Sequence, residues 1–142
     1  PLRLNPHTSF MLSNPTPQAL ALLRIVSAFL FIQHGTAKFF GVPHVAMFDG
    51  FQAMSLMGVA GALELVGGAL LLIGLFTRPV AFVLSGFMAV AYFMGHASKG
   101  FFLTPILNGG ELAIMFSFAF LLIAATGAGA WSVDAARSKS AA

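Results

Sequence analysis

The chain has 142 residues, of which 58% are hydrophobic and only 8% are charged. A soluble domain is typically about a quarter charged, so a chain with so few charges is better suited to lipid than to water. The absence of cysteine excludes thiolate catalysis, disulfide exchange and iron–sulfur clusters. The net charge of +3 comes from scattered Lys and Arg without a basic run, so nucleic acid is not an expected partner.

Four apolar segments follow one another along the chain and predict four transmembrane helices. Residues 1–18 are rich in proline and asparagine and are expected to form a tail or an interfacial segment. Each apolar segment is close to the ~20 residues that cross a bilayer. The predicted spans are about residues 19–40, 56–76, 80–97 and 107–126, within one domain of residues 19–130, followed by a tail of residues 131–142. The sequence therefore predicts an all-α integral membrane four-helix bundle.

Charge predicts how this bundle is oriented. The very short turn at residues 77–79 makes the second and third helices antiparallel neighbours. With four spans, both termini and this turn lie on the side that collects most of the basic residues. By the positive-inside rule, both termini are expected in the cytoplasm, with the loops of residues 41–55 and 98–106 on the other side.

Polar residues from all four predicted helices fall in the outer half of the bundle. This follows from antiparallel topology, which places the end of one span beside the start of the next. An ionisable group near the centre of a span costs about 2.5–3.5 kcal/mol, so such groups are expected to face the interior and to pair. The candidate site consists of His34, Lys38, Glu64, Tyr92, His96, Asn108 and Glu111.

Glu64 is the strongest candidate for a functional group because it is the deepest of these residues. Gly61 and Gly68 lie on its face of the helix and allow a neighbouring helix to approach. Lys38 or His34 is its expected partner. We expect Glu64 and His34 to handle protons as catalytic groups. The remaining five residues (Lys38, Tyr92, His96, Asn108 and Glu111) are expected to hold the polar atoms of a ligand.

Three chemistries fit this cluster, and the sequence leaves them open. The first is a quinone-type redox ligand. The second is a metal held by histidine and glutamate, although no HxxxH or ExxH spacing supports it. The third is a structural polar network that docks a partner; in that case residues 108–111 form a capping box with Glu111 at N3, and Lys38 reaches toward the interface. The expected partners besides lipid are other membrane or redox-complex subunits, or further copies of the chain.

An ordered set of short motifs in residues 19–135 resembles the DoxX family of small membrane proteins. The motifs are Leu23-Arg24-Ile25, His34-Gly35 with Lys38, Leu63-Glu64 with Gly67-Gly68, Thr77-Arg78, Met88 to Tyr92, His96, Asn108-Gly109-Gly110-Glu111, and Trp131-Ser132 with Asp134. The resemblance implies a four-span protein of the bacterial inner membrane. It also implies an association with membrane redox complexes, since the family is linked to a thiosulfate:quinone oxidoreductase. It assigns no catalytic role to any single residue.

Overall fold

The computed structural model describes residues 14–141, so most of the predicted N-terminal segment, residues 1–13, lies outside the described residues. The described chain is helical and contains no strand. Its elements are α1 (Thr16–Phe40), a short 3₁₀ turn (Ala46–Phe48), α2 (Leu56–Ile73), α3 (Thr77–Gly95), a second 3₁₀ turn (Ala97–Lys99), α4 (Pro105–Asn108), α5 (Glu111–Thr126) and α6 (Val133–Ser140).

The prediction of a four-helix membrane bundle is confirmed. Within residues 14–141, three helices are long and apolar enough to cross a membrane: α1, α2 and α3, the last counted together with the turn after it. The fourth bundle helix, α5, is apolar but has 16 residues. At ~1.5 Å per residue it is about 24 Å long, somewhat shorter than a hydrocarbon core of ~30 Å.

The helices pack as two close antiparallel pairs. α1 packs along α2 and α3 packs along α5, with fewer contacts between the pairs. Glycine makes the first pair close: a Cβ on Gly68 would lie 2.6 Å from the Ile32 side chain, and one on Gly35 would lie 2.7 Å from Leu65. The predicted contact between α2 and α3 is present, since Gly67 lies against Leu84.

The core between the pairs is aromatic, and the outside is apolar. Phe31 of α1 lies 5.4 Å from Phe116 and 5.0 Å from Phe120, measured between ring centroids. Large side chains such as Phe82 and Phe118 point outward and are about two-thirds exposed. An exterior of this kind is stable in lipid and not in water.

The two ends of the bundle differ in their chain connections. The loop end holds the C-termini of α1 and α3 and the N-termini of α2 and α5. The terminus end holds the start of α1, the 74–76 turn and the residues after α5. α1 and α2 each finish at a glycine with left-handed backbone, Gly41 (φ 64°) and Gly74 (φ 69°), which is the usual way to stop a helix.

Some predicted boundaries differ from the observed ones. α1 begins at Thr16, three residues before the predicted span, because Pro17 fits the first turn of a helix. The predicted fourth span divides into α4 and α5, since Gly109 adopts a left-handed backbone (φ 70°) between them. The predicted C-terminal tail contains a helix, α6, whose first turn is capped by Ser132.

Candidate functional site: a buried ion pair and a tyrosine–asparagine cluster

A buried ion pair joins α1 to α2 near the loop end. The Lys38 ammonium lies 2.6 Å and 2.5 Å from the two Glu64 carboxylate oxygens. The two side chains are only 5% and 8% exposed. Of the two residues expected to pair with Glu64, Lys38 is therefore the observed partner. Each charge is neutralised by the other inside an apolar bundle, where an isolated charge would be very costly.

Neighbouring residues hold the pair in place. A Cβ on Gly61 would lie 3.3 Å from the Lys38 side chain, so glycine at this position gives the lysine room. From the other side, the Phe48 ring covers the ammonium with its centroid 4.8 Å away, a cation–π contact. The expectation that Lys38 could reach toward the membrane interface is wrong, because the ion pair with Glu64 draws it inward.

His34 lies one turn before Lys38 on α1 and borders the core. It is half-buried, and its ring meets the Phe116 ring edge-on with centroids 6.3 Å apart. Neither ring nitrogen forms a hydrogen bond within residues 14–141, whereas Lys38 and Glu64 satisfy each other. His34 therefore retains a donor and an acceptor for another molecule.

A second polar cluster joins α3 to the segment before α5. The Tyr92 hydroxyl donates to the Phe102 carbonyl and accepts a hydrogen bond of 3.2 Å from the Asn108 amide. The Asn108 side-chain oxygen accepts from the Gly110 N–H at 2.9 Å. Tyr92 and Asn108 are both buried, so these bonds satisfy polar groups that would otherwise be costly. His96 borders the cluster, with Nδ1 3.2 Å from the Asn108 carbonyl.

The capping box proposed for residues 108–111 is wrong. Asn108 ends α4, Gly110 is the N-cap of α5 without a side-chain cap, and Glu111 is the first helical residue rather than N3. The reason is the left-handed backbone of Gly109, which turns the chain between the two helices. Glu111 is exposed at the start of α5, where a negative charge suits the helix dipole.

Six of the seven residues predicted from sequence thus form two groups and not one, and the seventh, Glu111, belongs to neither. Lys38 and Glu64 join the first helix pair, with His34 beside them, and Tyr92, Asn108 and His96 join the second. No hydrogen bond connects the two groups in residues 14–141. In the same residues, no three histidine or acidic side chains come close enough together to hold a metal ion, so the metal alternative gains no support.

Arg24 is a buried residue whose role the sequence did not reveal. All five of its N–H donors bind backbone carbonyls at the terminus end. Two bonds, of 2.7 and 2.6 Å, reach the last turn of α2, and three reach the segment after α5; the acceptors are Leu71, Leu72, Ala128, Ala130 and Trp131. An arginine inside an apolar span is the sequence signal that points to such a buried, fully paired group.

Asp134 completes the same end of the bundle. Its two carboxylate oxygens accept the Phe76 and Thr77 N–H groups at 3.0 and 2.8 Å, and thereby cap α3 from α6. Partial desolvation by itself would raise the pKa of Asp134. The hydrogen bonds from Thr77 and Phe76, together with the nearby Arg137 charge, outweigh it and hold that pKa below its ordinary value.

Comparison with known proteins gives two relatives and a family. The family model described as DoxX matches residues 19–97. An uncharacterized protein of Haemophilus influenzae is 51% identical over 121 residues, which cover 83% of this chain and 90% of that protein. The inner membrane protein YqjF of Escherichia coli is 34% identical over 118 residues, which cover 78% and 85% respectively. No solved structure matches the chain.

Proposed function

The chain belongs to the DoxX family of membrane proteins, and from this premise we propose that it is a membrane component of a quinone-linked redox system. The proposal rests on the environment of His34. This residue is a half-buried histidine in an apolar helix, with unused hydrogen-bonding atoms, one turn from the buried Lys38–Glu64 pair. Ionisable residues inside a membrane bundle are functional candidates because they are costly to maintain.

The surroundings of His34 suit a flat, lipid-soluble carbonyl compound. The Phe116 ring offers an apolar surface beside the imidazole, and a ring nitrogen can donate to a carbonyl oxygen. A quinone would supply two-electron, two-proton redox chemistry when bound. The chain has no cysteine to carry electrons, so the electron donor is a partner redox subunit.

Within this proposal the chain's own residues bind and supply protons. His34 holds the ligand oxygen and exchanges a proton with it. Glu64 is the second proton-carrying group, and Lys38 holds its carboxylate in position and compensates its charge. Tyr92, Asn108 and His96 fix the neighbouring end of α3 and the segment before α5, so they position this end of the bundle.

A binding measurement tests the proposal. The full chain in lipid nanodiscs is incubated with a short-tailed benzoquinone or naphthoquinone, and the retained quinone is quantified. His34→Gln should weaken binding by about tenfold, the effect of one lost hydrogen bond of about 1.4 kcal/mol. His44→Gln is the matched control, because His44 is exposed in the 41–55 loop. Absence of quinone binding, or equal binding by wild type and by His34→Gln and Glu64→Gln variants, would contradict the proposal.

A non-catalytic accessory subunit is the second candidate. The observation that favours it is that Lys38–Glu64 and Tyr92–Asn108 satisfy each other within the chain, as expected of groups that only join helices. This reading predicts that a complex purified with the chain keeps full activity after His34→Ala and Glu64→Gln. Loss of activity with an intact complex would instead favour the quinone-linked redox function.

The proposal includes a location and an orientation. The relative from Escherichia coli is named an inner membrane protein, and we place this chain in the bacterial inner membrane by analogy. The basic side chains at the terminus end favour that end in the cytoplasm. Labelling of single cysteines introduced at Lys99 and at Lys139 by a membrane-impermeant reagent in intact cells tests it: only the Lys99 position should react.

A further inference from the structure

A basic groove lies at the terminus end, away from the proposed redox site. It has a volume of about 380 Å³ and lies between the start of α3 and the α6 helix. Its cationic lining residues are Arg78 and Arg137, and Phe76 and Thr77 contribute part of its wall. We propose that this groove binds the phosphate headgroup of an anionic phospholipid.

Both arginines are held in place by the surrounding chain. The Arg78 guanidinium donates to the Thr126 carbonyl at 3.4 Å. It lies beside Gly127, where a Cβ would be in ordinary van der Waals contact with Nε at 3.4 Å. The Arg137 guanidinium lies over the Phe76 ring, 5.8 Å from its centroid. Two positioned guanidinium groups match the oxygens of a phosphate, which each can bind bidentately.

The charge at the groove remains positive despite one acid. Asp134 also lines the groove, but its two oxygens accept the Phe76 and Thr77 N–H groups of α3. Neither Arg78 nor Arg137 forms a salt bridge with a carboxylate in residues 14–141.

The position of the groove along the bundle favours a lipid over a free phosphate. It lies at the end of the apolar helices, at the level where headgroups begin. Phe76 and Trp131, 55% and 64% exposed, mark this level as aromatic residues do at membrane interfaces. A phosphate attached to acyl chains can enter the groove while its chains remain along the apolar exterior. Basic pockets at such positions attract anionic headgroups.

A lipid-binding measurement on the full chain in detergent tests the proposal. Native mass spectrometry compares the binding of phosphatidylglycerol and phosphatidylcholine with identical acyl chains. Wild type should prefer phosphatidylglycerol. Arg78→Gln/Arg137→Gln should weaken its binding by about thirtyfold, from two lost contacts to an anionic headgroup. The matched control is Lys99→Gln/Lys139→Gln, which removes the same two charges from exposed residues that do not line the groove. It should change binding by less than about twofold.

A single variant and a competition with inorganic phosphate complete the test. If the double arginine variant does not fold, Arg137→Gln alone suffices, since Arg137 is exposed on α6, and it should weaken binding by about fivefold. Equal binding of both lipids, or equal losses in the arginine and lysine variants, would overturn the proposal. Inorganic phosphate should not displace the lipid at equal concentration. Displacement at that concentration would identify a free-phosphate site and refute the lipid source.

Discussion

Removing Lys38 should destabilise the bundle strongly, because it leaves Glu64 charged and buried. The ammonium lies 2.6 and 2.5 Å from the carboxylate oxygens, and both side chains are more than nine-tenths buried. At this separation the attraction is about 6 kcal/mol for an effective dielectric constant of about 20. The Lys38→Met substitution removes this attraction, while the Glu64 carboxylate remains buried away from water. Proton uptake by the carboxylate limits the loss, so we expect a decrease of about 3–5 kcal/mol in the free energy of unfolding.

A double-mutant cycle distinguishes the interaction energy of the Lys38–Glu64 pair from other effects of the substitutions. Lys38→Met/Glu64→Met removes both charges and should cost less than the sum of the two single substitutions, with a coupling energy of at least about 2 kcal/mol. Unfolding of the full chain by sodium dodecyl sulfate in mixed micelles, followed by far-ultraviolet circular dichroism, provides the free energies. Lys99→Met is the control, since Lys99 is exposed outside the helices of the bundle, and it should stay within about 0.5 kcal/mol. A coupling energy below about 0.5 kcal/mol would refute the reasoning.

Three further predictions test the rest of the structure. Arg24→Met should destabilise the bundle by about 3 kcal/mol or more in the same assay, because it leaves five backbone carbonyls without their donor, and Arg24→Lys should restore little of it. Tyr92→Phe should cost about 1–2 kcal/mol through its lost hydrogen bonds, and Asn108→Ala in that background should cost about 1 kcal/mol more, because the Asn108 oxygen also accepts the Gly110 N–H. The contribution of Asp134, whose pKa is lowered in the folded chain, is present above its unfolded pKa of about 3.9 and is lost as the pH falls through its lower folded value. Comparing wild type with Asp134→Asn between pH 6 and 3 should show a difference that diminishes as the pH falls, and a constant difference would contradict it.

The elements of the polar site could be predicted to different degrees. Glu64 and its glycines at i−3 and i+4 pointed to a close helix contact because both features are local in sequence. The choice between Lys38 and His34 as its partner was open, since these residues are one turn apart on the same face of α1. The observed pairing depends on how α1 sits against α2, which only packing decides.

The division of the predicted cluster into two groups could not be read from the sequence. The positions of Tyr92 and Asn108 along their helices predicted that they lie at the same depth in the membrane as Lys38. An apolar sequence pattern predicts this depth but not the direction in which a side chain points. Rotation about each helix axis decides which side chains meet, and all sides of these helices are apolar, so the pattern gives no preferred face. Gly109 also divided the expected fourth span, because a left-handed residue interrupts the helix there.

The amino-acid sequence is sufficient to identify this chain as a helical membrane protein, because few charges and long apolar segments are stable only in lipid. Which polar groups pair depends on the packing of the helices and cannot be read from the residue order. The Arg24 guanidinium binds carbonyls 47 to 107 residues away, and Asp134 caps a helix that begins 57 residues before it. Such contacts join backbone groups that every residue carries, so they leave no signature in the residue types of the partners.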